Sequence, residues 1–351
     1  MQQLNRNLLI AAALLFALSA FTYHSSVTRA DRFERGQTFL PNLNPDEIAK
    51  ITIGQGDEDT VLQRSGDRFI LPSADGYRAK NGAVNRFIRD VLDLTLEKEV
   101  GSSDDLAAKL GLGDDAGERI AVSFENAAGQ SMVQFQIGDR FEGGSGNYVR
   151  RIDGDASPIY LSSKGLYLQT ATDDFVERQI LDVPKAEIAS IRGQGFVFER
   201  PEDGGELALA DLADGQKASA TATQVQTVLA GLRSTEHFLA NAPEVQGLVF
   251  ADRLDVALND GSRYIVEVAE RGDKHYLRVS GDLTEESILA ARETLATRDA
   301  TEDAVRDTSE TLERRDEIED FNAFHGSWIY EVSSTTADKV TAEASDLIED
   351  A

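Results

Sequence analysis

The chain has 351 residues and no cysteine. That excludes a disulfide framework, a thiol nucleophile, a cysteine-ligated metal and a bacterial lipoprotein anchor, but it does not fix the compartment. Clusters of basic residues are missing as well. Against 62 Asp and Glu there are only 35 Lys and Arg, a formal charge of −27. Such a chain cannot neutralise nucleic-acid phosphates, so nucleic acid is excluded as a partner, and its soluble part adheres poorly to anionic lipid. Histidine is scarce: His24, His237, His275 and His325 show no metal-ligand spacing and are expected on the surface or in loops. No spacing of residues assigns a catalytic, cofactor-binding or metal-binding group.

Long apolar runs are also absent, with one exception. Leu8 to Tyr23 is apolar, and no charge occurs across residues 7–28. A helix of that length reaches about 33 Å at ~1.5 Å per residue, enough for a hydrocarbon core of roughly 30 Å. The run reads as an uncleaved anchor. Its alternative is a cleaved signal peptide, although Leu18-Ser19-Ala20 puts a bulky residue where a small one is needed. Arg29, Arg32 and Arg35 follow the run and only Arg6 precedes it; a strict positive-inside count therefore favours the opposite orientation to an outside domain.

What the chain has is a pattern made twice. Ile120, Val122 and Phe124 alternate with polar or small residues, as do Leu254, Val256 and Leu258, each a strand with one buried face. A turn follows in both, Glu125 to Gly129 in one and Asn259-Asp260-Gly261 in the other. Asp-Gly between alternating runs is a strong hairpin signal, because tight hairpin turns need positive φ. Val133, Phe135 and Ile137 then correspond to Tyr264, Val266 and Val268, and Tyr148-Val149-Arg150 to Tyr276-Leu277-Arg278. The spacing between equivalents shortens at each turn, so the differences fall in loops, where length costs little. Chance alternation in a β-rich chain is the alternative.

The segments ahead of each meander also correspond. Ile48, Ile51 and Ile53 are echoed by Ile188 and Ile191. Asn81 to Leu94 carries the helical stripe Val84, Phe87, Ile88, Val91 and Leu92, and Thr223 to Arg233 is expected to supply a second helix. Each unit is thus strands, a helix and a three-stranded meander, an α+β fold of two repeated antiparallel-sheet-plus-helix units after a single amino-terminal transmembrane helix. The expected organisation is a tail (1–6), an anchor (7–28), a first unit (36–180) and a second (181–351) interrupted by an acidic stretch (282–320). That stretch holds 14 acidic and 5 basic residues, with Ile288, Leu295, Val305 and Leu312 as a thin apolar stripe; it reads as one or two solvated helices, a charged insertion in preference to a docking surface for a basic partner. After it, Phe321 to Val332 is expected to return to strand and Ala337 to Asp350 to form a final helix.

The remaining motifs carry little chemistry. Gly143 to Gly146 lacks the Lys-Ser/Thr of a phosphate loop and lies between strands, so it reads as a hairpin turn. Gly54-Gln55-Gly56 and Gly193-Gln194-Gly195 read as equivalent turns. Acid clusters at Asp57-Glu58-Asp59, Asp114-Asp115, Asp153-Gly154-Asp155 and Asp173-Asp174 do not fit a calcium loop with its closing bidentate Glu. Trp328 and Tyr330 could stack on a sugar, but a packed terminal strand is the stronger reading.

Several marks in order resemble a known family. They are Phe39-Leu40 before Ile48 to Ile53, Gly76 to Ala79, Leu110-Gly111-Leu112, Ile137-Gly138-Asp139, Tyr148-Val149-Arg150 and Gly326 to Val332. The family is catalogued as domain of unknown function 4340. The resemblance implies a single-pass protein of the bacterial inner membrane with its bulk in the periplasm. It also implies partners, an ABC-type export permease and a gliding-motility-like auxiliary subunit, and it assigns no catalytic residue or cofactor. The expected function is therefore a non-enzymatic accessory or scaffold of such a transport complex. The alternatives are a cell-envelope glycan- or ligand-binding module and, with least support, a hydrolase using paired carboxylates.

Overall fold

The structure is a computed structural model that describes Ser19 and residues 35–350, apart from 57, 115, 153–156, 202–204, 211 and 297–300. The expected tail and anchor lie outside the described residues, save Ser19. Among the described residues no helix is long and apolar enough to cross a membrane. The chain is α+β and divides into two compact units, residues 1–177 and 178–351.

In the first unit, alternation produces a nine-stranded antiparallel sheet. Its strands are β1 (Lys50–Gln55), β2 (Glu58–Ser65), β3 (Arg68–Leu71), β4 (Tyr77–Arg78), β5 (Leu96–Gly101), β6 (Ile120–Glu125), β7 (Ser131–Arg140), β8 (Asn147–Arg151) and β9 (Ile159–Ser162). Their order is β4-β3-β2-β1-β6-β7-β8-β9-β5. Every second residue of β1 and β6 turns inward, so Ile51, Ile53, Val122 and Phe124 are buried. The helix α1 (Asn81–Leu92) lays Val84, Phe87 and Val91 into the same core. There Phe87 meets Phe124 and Phe175 edge-on, with ring centroids 6.5 and 6.0 Å apart, a favoured aromatic geometry.

Two of the family marks prove to touch. The short helix α2 (Asp104–Lys109) ends at Gly111, whose φ of +71° closes the turn and lets the Leu112 amide reach the Ala107 carbonyl at 2.9 Å. The Asp139 amide donates to the Leu110 carbonyl at 2.9 Å. A Cβ at Gly138 would lie 2.3 Å from that carbonyl oxygen, so glycine is required where this loop crosses β7.

A short helix, α3 (Thr172–Phe175), ends the first unit. The strands of the second are β10 (Gln179–Leu181), β11 (Ile188–Gly193), β12 (Phe196–Glu199), β13 (Ala208–Leu209), β14 (Gln216–Ala218), β15 (Leu232–Arg233), β16 (Glu236–Leu239), β17 (Asp252–Leu258), β18 (Ser262–Arg271), β19 (Lys274–Leu283), β20 (Trp328–Val332) and β21 (Ile348–Asp350). Eight form one sheet in the order β13-β12-β11-β17-β18-β19-β20-β16, and β10-β15 and β14-β21 are separate pairs. The β11–β17 register shifts between Ile188 and Ser190. This irregularity lets Ile188 and Ile191, three apart, both face inward.

The chain departs from expectation at three helices. Only Ala220–Val225 is helical in the stretch around Thr223 to Arg233; this is α4. It then tightens into i→i+3 turns, with Thr227 bonded to Gln224 and Ala230 to Thr227, and Leu232 is drawn into β15. Val225, Val228, Leu229 and Leu232 are buried all the same. The acidic stretch forms two helices, α5 (Glu285–Ala296) and α6 (Glu302–His325). Here α6 runs through Phe321 to His325, so the expected strand begins only at Trp328. The last helix, α7, is Ser334–Thr341, capped by the Ser333 hydroxyl. The chain beyond it pairs with β14 as β21 instead of staying helical.

Candidate interaction groove

The two acidic helices are built onto one end of the second sheet. At the β17–β18 turn, Gly261 has φ +86°, and a Cβ there would lie 2.0 Å from the Ser287 hydroxyl. Only glycine lets α5 start this close. The Thr284 amide donates to the Gly261 carbonyl at 2.8 Å, and the Thr284 and Ser287 hydroxyls are 2.9 Å apart. On α6, the Asn322 amide both accepts from the Gly281 N–H at 2.7 Å and donates to its carbonyl at 2.8 Å. Arg314 pairs with Asp260 at 3.0 Å. Each helix is thus pinned to a strand end, and the two then face one another.

Between them opens a cavity of about 450 Å³. Leu283, Ile288, Ala291, Leu295, Leu312 and Ile318 supply its apolar surface, and Asp282, Arg292, Arg315 and Glu319 its charged margin. With 12 residues, α5 makes one wall about 18 Å long at ~1.5 Å per residue. Leu289, Leu295 and Val305 on these helices are 56%, 68% and 51% exposed. Of the 24 residues of α6, only Thr308, Ile318 and His325 are buried.

Much of the positive charge here is already matched. Arg306 lies near Asp303, Asp307 and Glu310, and Arg315 near Asp316 and Glu319. The Arg315 pKa is raised, first by its hydrogen bond to Asp316 and then by the same carboxylate's charge. Glu285, Glu302, Glu313 and Asp320 make no ion pair among the described residues, so the helices present excess negative charge. Beneath α6, burial pushes the Tyr264 phenol above its ordinary pKa, and the charges of Asp260 and Glu317 push it further. Its ring meets Phe321 at 5.3 Å.

The sequence-selected residues fall elsewhere or inside. His325 is not on the surface: it is 1% exposed, and its Nδ1 lies 2.7 Å from the Tyr330 hydroxyl. It closes the last turn of α6 against β20. The His237 side chain, on β16, is only 7% exposed and meets Trp328 edge-on, with ring centroids 5.4 Å apart. His275 lies on β19 beside Glu270 at 3.3 Å, and His24 lies outside the described residues. Trp328 and Tyr330 are 5% and 0% exposed and offer no free face for a sugar. Gly143 to Gly146 joins β7 to β8, and the two Gly-Gln-Gly turns join β1 to β2 and β11 to β12.

Of the acids, Asp59 and Asp114 come together with Arg119 around a second cavity of about 350 Å³, a meeting that their sequence separation gave no sign of. Arg119 bonds to Asp114. Asp173 and Asp174 lie in α3, and Asp57, Asp115 and 153–155 lie outside the described residues. Among the described residues no three His, Asp or Glu side chains are placed to hold a metal ion.

A family model described as domain of unknown function (DUF4340) matches residues 70–248, about half the chain. Gly76 to Ala79, Leu110 to Leu112, Ile137 to Asp139 and Tyr148 to Arg150 lie inside that match; the α5–α6 groove lies beyond it. No curated protein and no solved structure matches the chain.

Proposed function

The chain belongs to the DUF4340 family, and from that premise we propose that it works by binding other proteins, as a membrane-anchored accessory or scaffold of an ABC-type transport complex. The observation that carries this reading is the groove between α5 and α6. Leu295, 68% exposed, lines a large apolar cavity together with Ile288 and Leu312, and Leu289 and Val305 are also more than half exposed on the same two helices; exposed apolar surface of this kind marks sites of association. The uncharged run at residues 7–28 supports the anchor, and the family resemblance supports the permease and auxiliary subunit as partners.

Two like-built sheets belong to the same proposal, each a platform for contacts. The β3-β2-β1-β6-β7-β8-β9-β5 order of the first recurs as β13-β12-β11-β17-β18-β19-β20-β16 in the second. Arg64 at the end of β2 donates through its amide to the Ala49 carbonyl and through Nε to that of Ile48; Arg200 after β12 does the same to Ala189 and Ile188. Duplication explains such agreement more simply than convergence. Affinity purification of the full chain in mild detergent is the test. Recovery of a permease and its auxiliary subunit is expected, and their consistent absence would refute the scaffold reading. A carboxyl-terminal alkaline phosphatase fusion checks the orientation: activity places the bulk of the chain in the periplasm.

A further inference from the structure

We propose that the α5–α6 groove receives a basic amphipathic helix of a partner protein. This deepens the scaffold reading and rests on it. The shape comes first: two helices, each held to the sheet, leave an apolar trough lined from Ile288 to Leu295 on one side and from Thr311 to Asn322 on the other, about two to three helical turns at ~1.5 Å per residue. A helix fills such a trough by presenting side chains at i, i+3, i+4 and i+7 from one face. An extended strand would bring its unpaired backbone N–H and C=O groups into an apolar trough walled by helices, whose own backbone groups are already hydrogen-bonded.

Charge then chooses among helices. The stretch 282–320 holds 14 acidic and 5 basic residues, and Arg306, Arg314 and Arg315 are engaged by acids of this same chain. Glu285, Glu302 and Glu313 are exposed on the same two helices. Lysine or arginine flanking the partner's apolar stripe complements them, steers encounter and excludes acidic helices. A second copy of this chain is disfavoured by the same surplus, since like would meet like.

The test uses the full chain in mild detergent and a probe peptide of about 18 residues, leucine and lysine in amphipathic-helix order, with a scrambled peptide of the same composition as control. Binding is read by fluorescence anisotropy. The ordered peptide should bind at least about tenfold more tightly than the scrambled one, and its affinity should fall with added salt. Leu295→Glu, at a residue that lines the groove, should weaken it about tenfold or more. Leu295 is 68% exposed, so the variant keeps its core, which circular dichroism confirms. Glu302→Gln/Glu313→Gln should flatten the salt dependence. Equal binding of the two peptides, no binding of either, or unchanged binding by the leucine variant would overturn the assignment, as would self-association abolished by that variant.

Co-purification separates this assignment from the reading beneath it. If Leu295→Glu recovers the permease and auxiliary subunit as fully as the wild type, the groove assignment fails and the scaffold stands. If the wild type recovers neither, the scaffold fails, and with it the assignment.

Discussion

Replacing Tyr330 by phenylalanine removes a single oxygen atom and should destabilise the second unit by about 1–3 kcal/mol. The tyrosine is 0% exposed and its partner His325 is 1% exposed, so bulk water cannot reach in to replace the lost bond. The phenylalanine ring fits the same space, and no cavity term of consequence is added. The effect therefore falls first on the 2.7 Å contact with Nδ1, a hydrogen bond that phenylalanine cannot make. His325→Phe exposes the converse defect, a buried hydroxyl without its nitrogen. Making both changes removes both polar groups, so the double variant should be more stable than the two single losses predict, with a coupling of about 1 kcal/mol or more. Trp328 is the single tryptophan, lies 6.2 Å from the Phe324 ring and reports this unit alone. Urea unfolding followed by its fluorescence gives the free energies, and a thermal melt should fall by roughly 2–4 °C per kcal/mol for a unit of this size. A Tyr330→Phe variant within about 0.3 kcal/mol of wild type, or strict additivity in the double variant, would refute the reasoning.

Phe87→Ala empties the aromatic cluster beneath α1, where Phe87 is 3% exposed; a loss of about 3–5 kcal/mol is expected, measurable by hydrogen exchange of the first unit. Gly261→Val forces a branched side chain into a φ of +86° and against Ser287, so the start of α5 should lift from the β17–β18 turn and become protease-sensitive, while β1 to β9 keep their protection. Tyr264 gives a pH signature. Its folded pKa is raised above the ordinary 10.0, so the stability it contributes is fully present below pH 10.0 and drains away as pH rises toward the folded value, where the unfolded chain ionises first. Tyr264→Phe should lose less stability between about pH 9 and about pH 11 than the wild type does; equal losses would count against the assignment. Leu295→Ala, at a site 68% exposed, should leave the urea midpoint within about 0.5 kcal/mol while weakening peptide binding.

Much of the strand content was legible because it is local. Ile51, Ile53, Val122 and Phe124 reveal their inward face by alternation alone, and Gly129 and Gly261 mark the turns between strands. The stripe of α1 was equally plain. Legibility failed where distant partners override a local pattern. Phe321 to His325 looks like the start of a strand, yet Asn322 grips Gly281, 41 positions earlier, and Phe321 meets Tyr264 edge-on, so the helix continues. Ile348 to Asp350 looks like helix, yet β14 offers it an edge to pair with. His325 read as a surface residue because scarcity and spacing say nothing about burial. The groove was legible as negative charge and as a thin apolar stripe, of which Ile288, Leu295 and Leu312 line it; that the two helices would turn these residues toward one another was not.

The amino-acid order by itself determined which residues turn inward on each strand, where the hairpins fold back, that the chain is acidic and that thiol chemistry is closed to it. These follow from neighbours a few positions apart, whose periodicity the backbone geometry imposes directly. Tertiary structure alone decided the order of the strands, the meeting of Asp59 with Arg119, the burial of His325 against Tyr330 and the opening between α5 and α6. Each depends on contacts between segments far apart in the chain, made when apolar faces must be covered together, and no local pattern specifies which face will cover which.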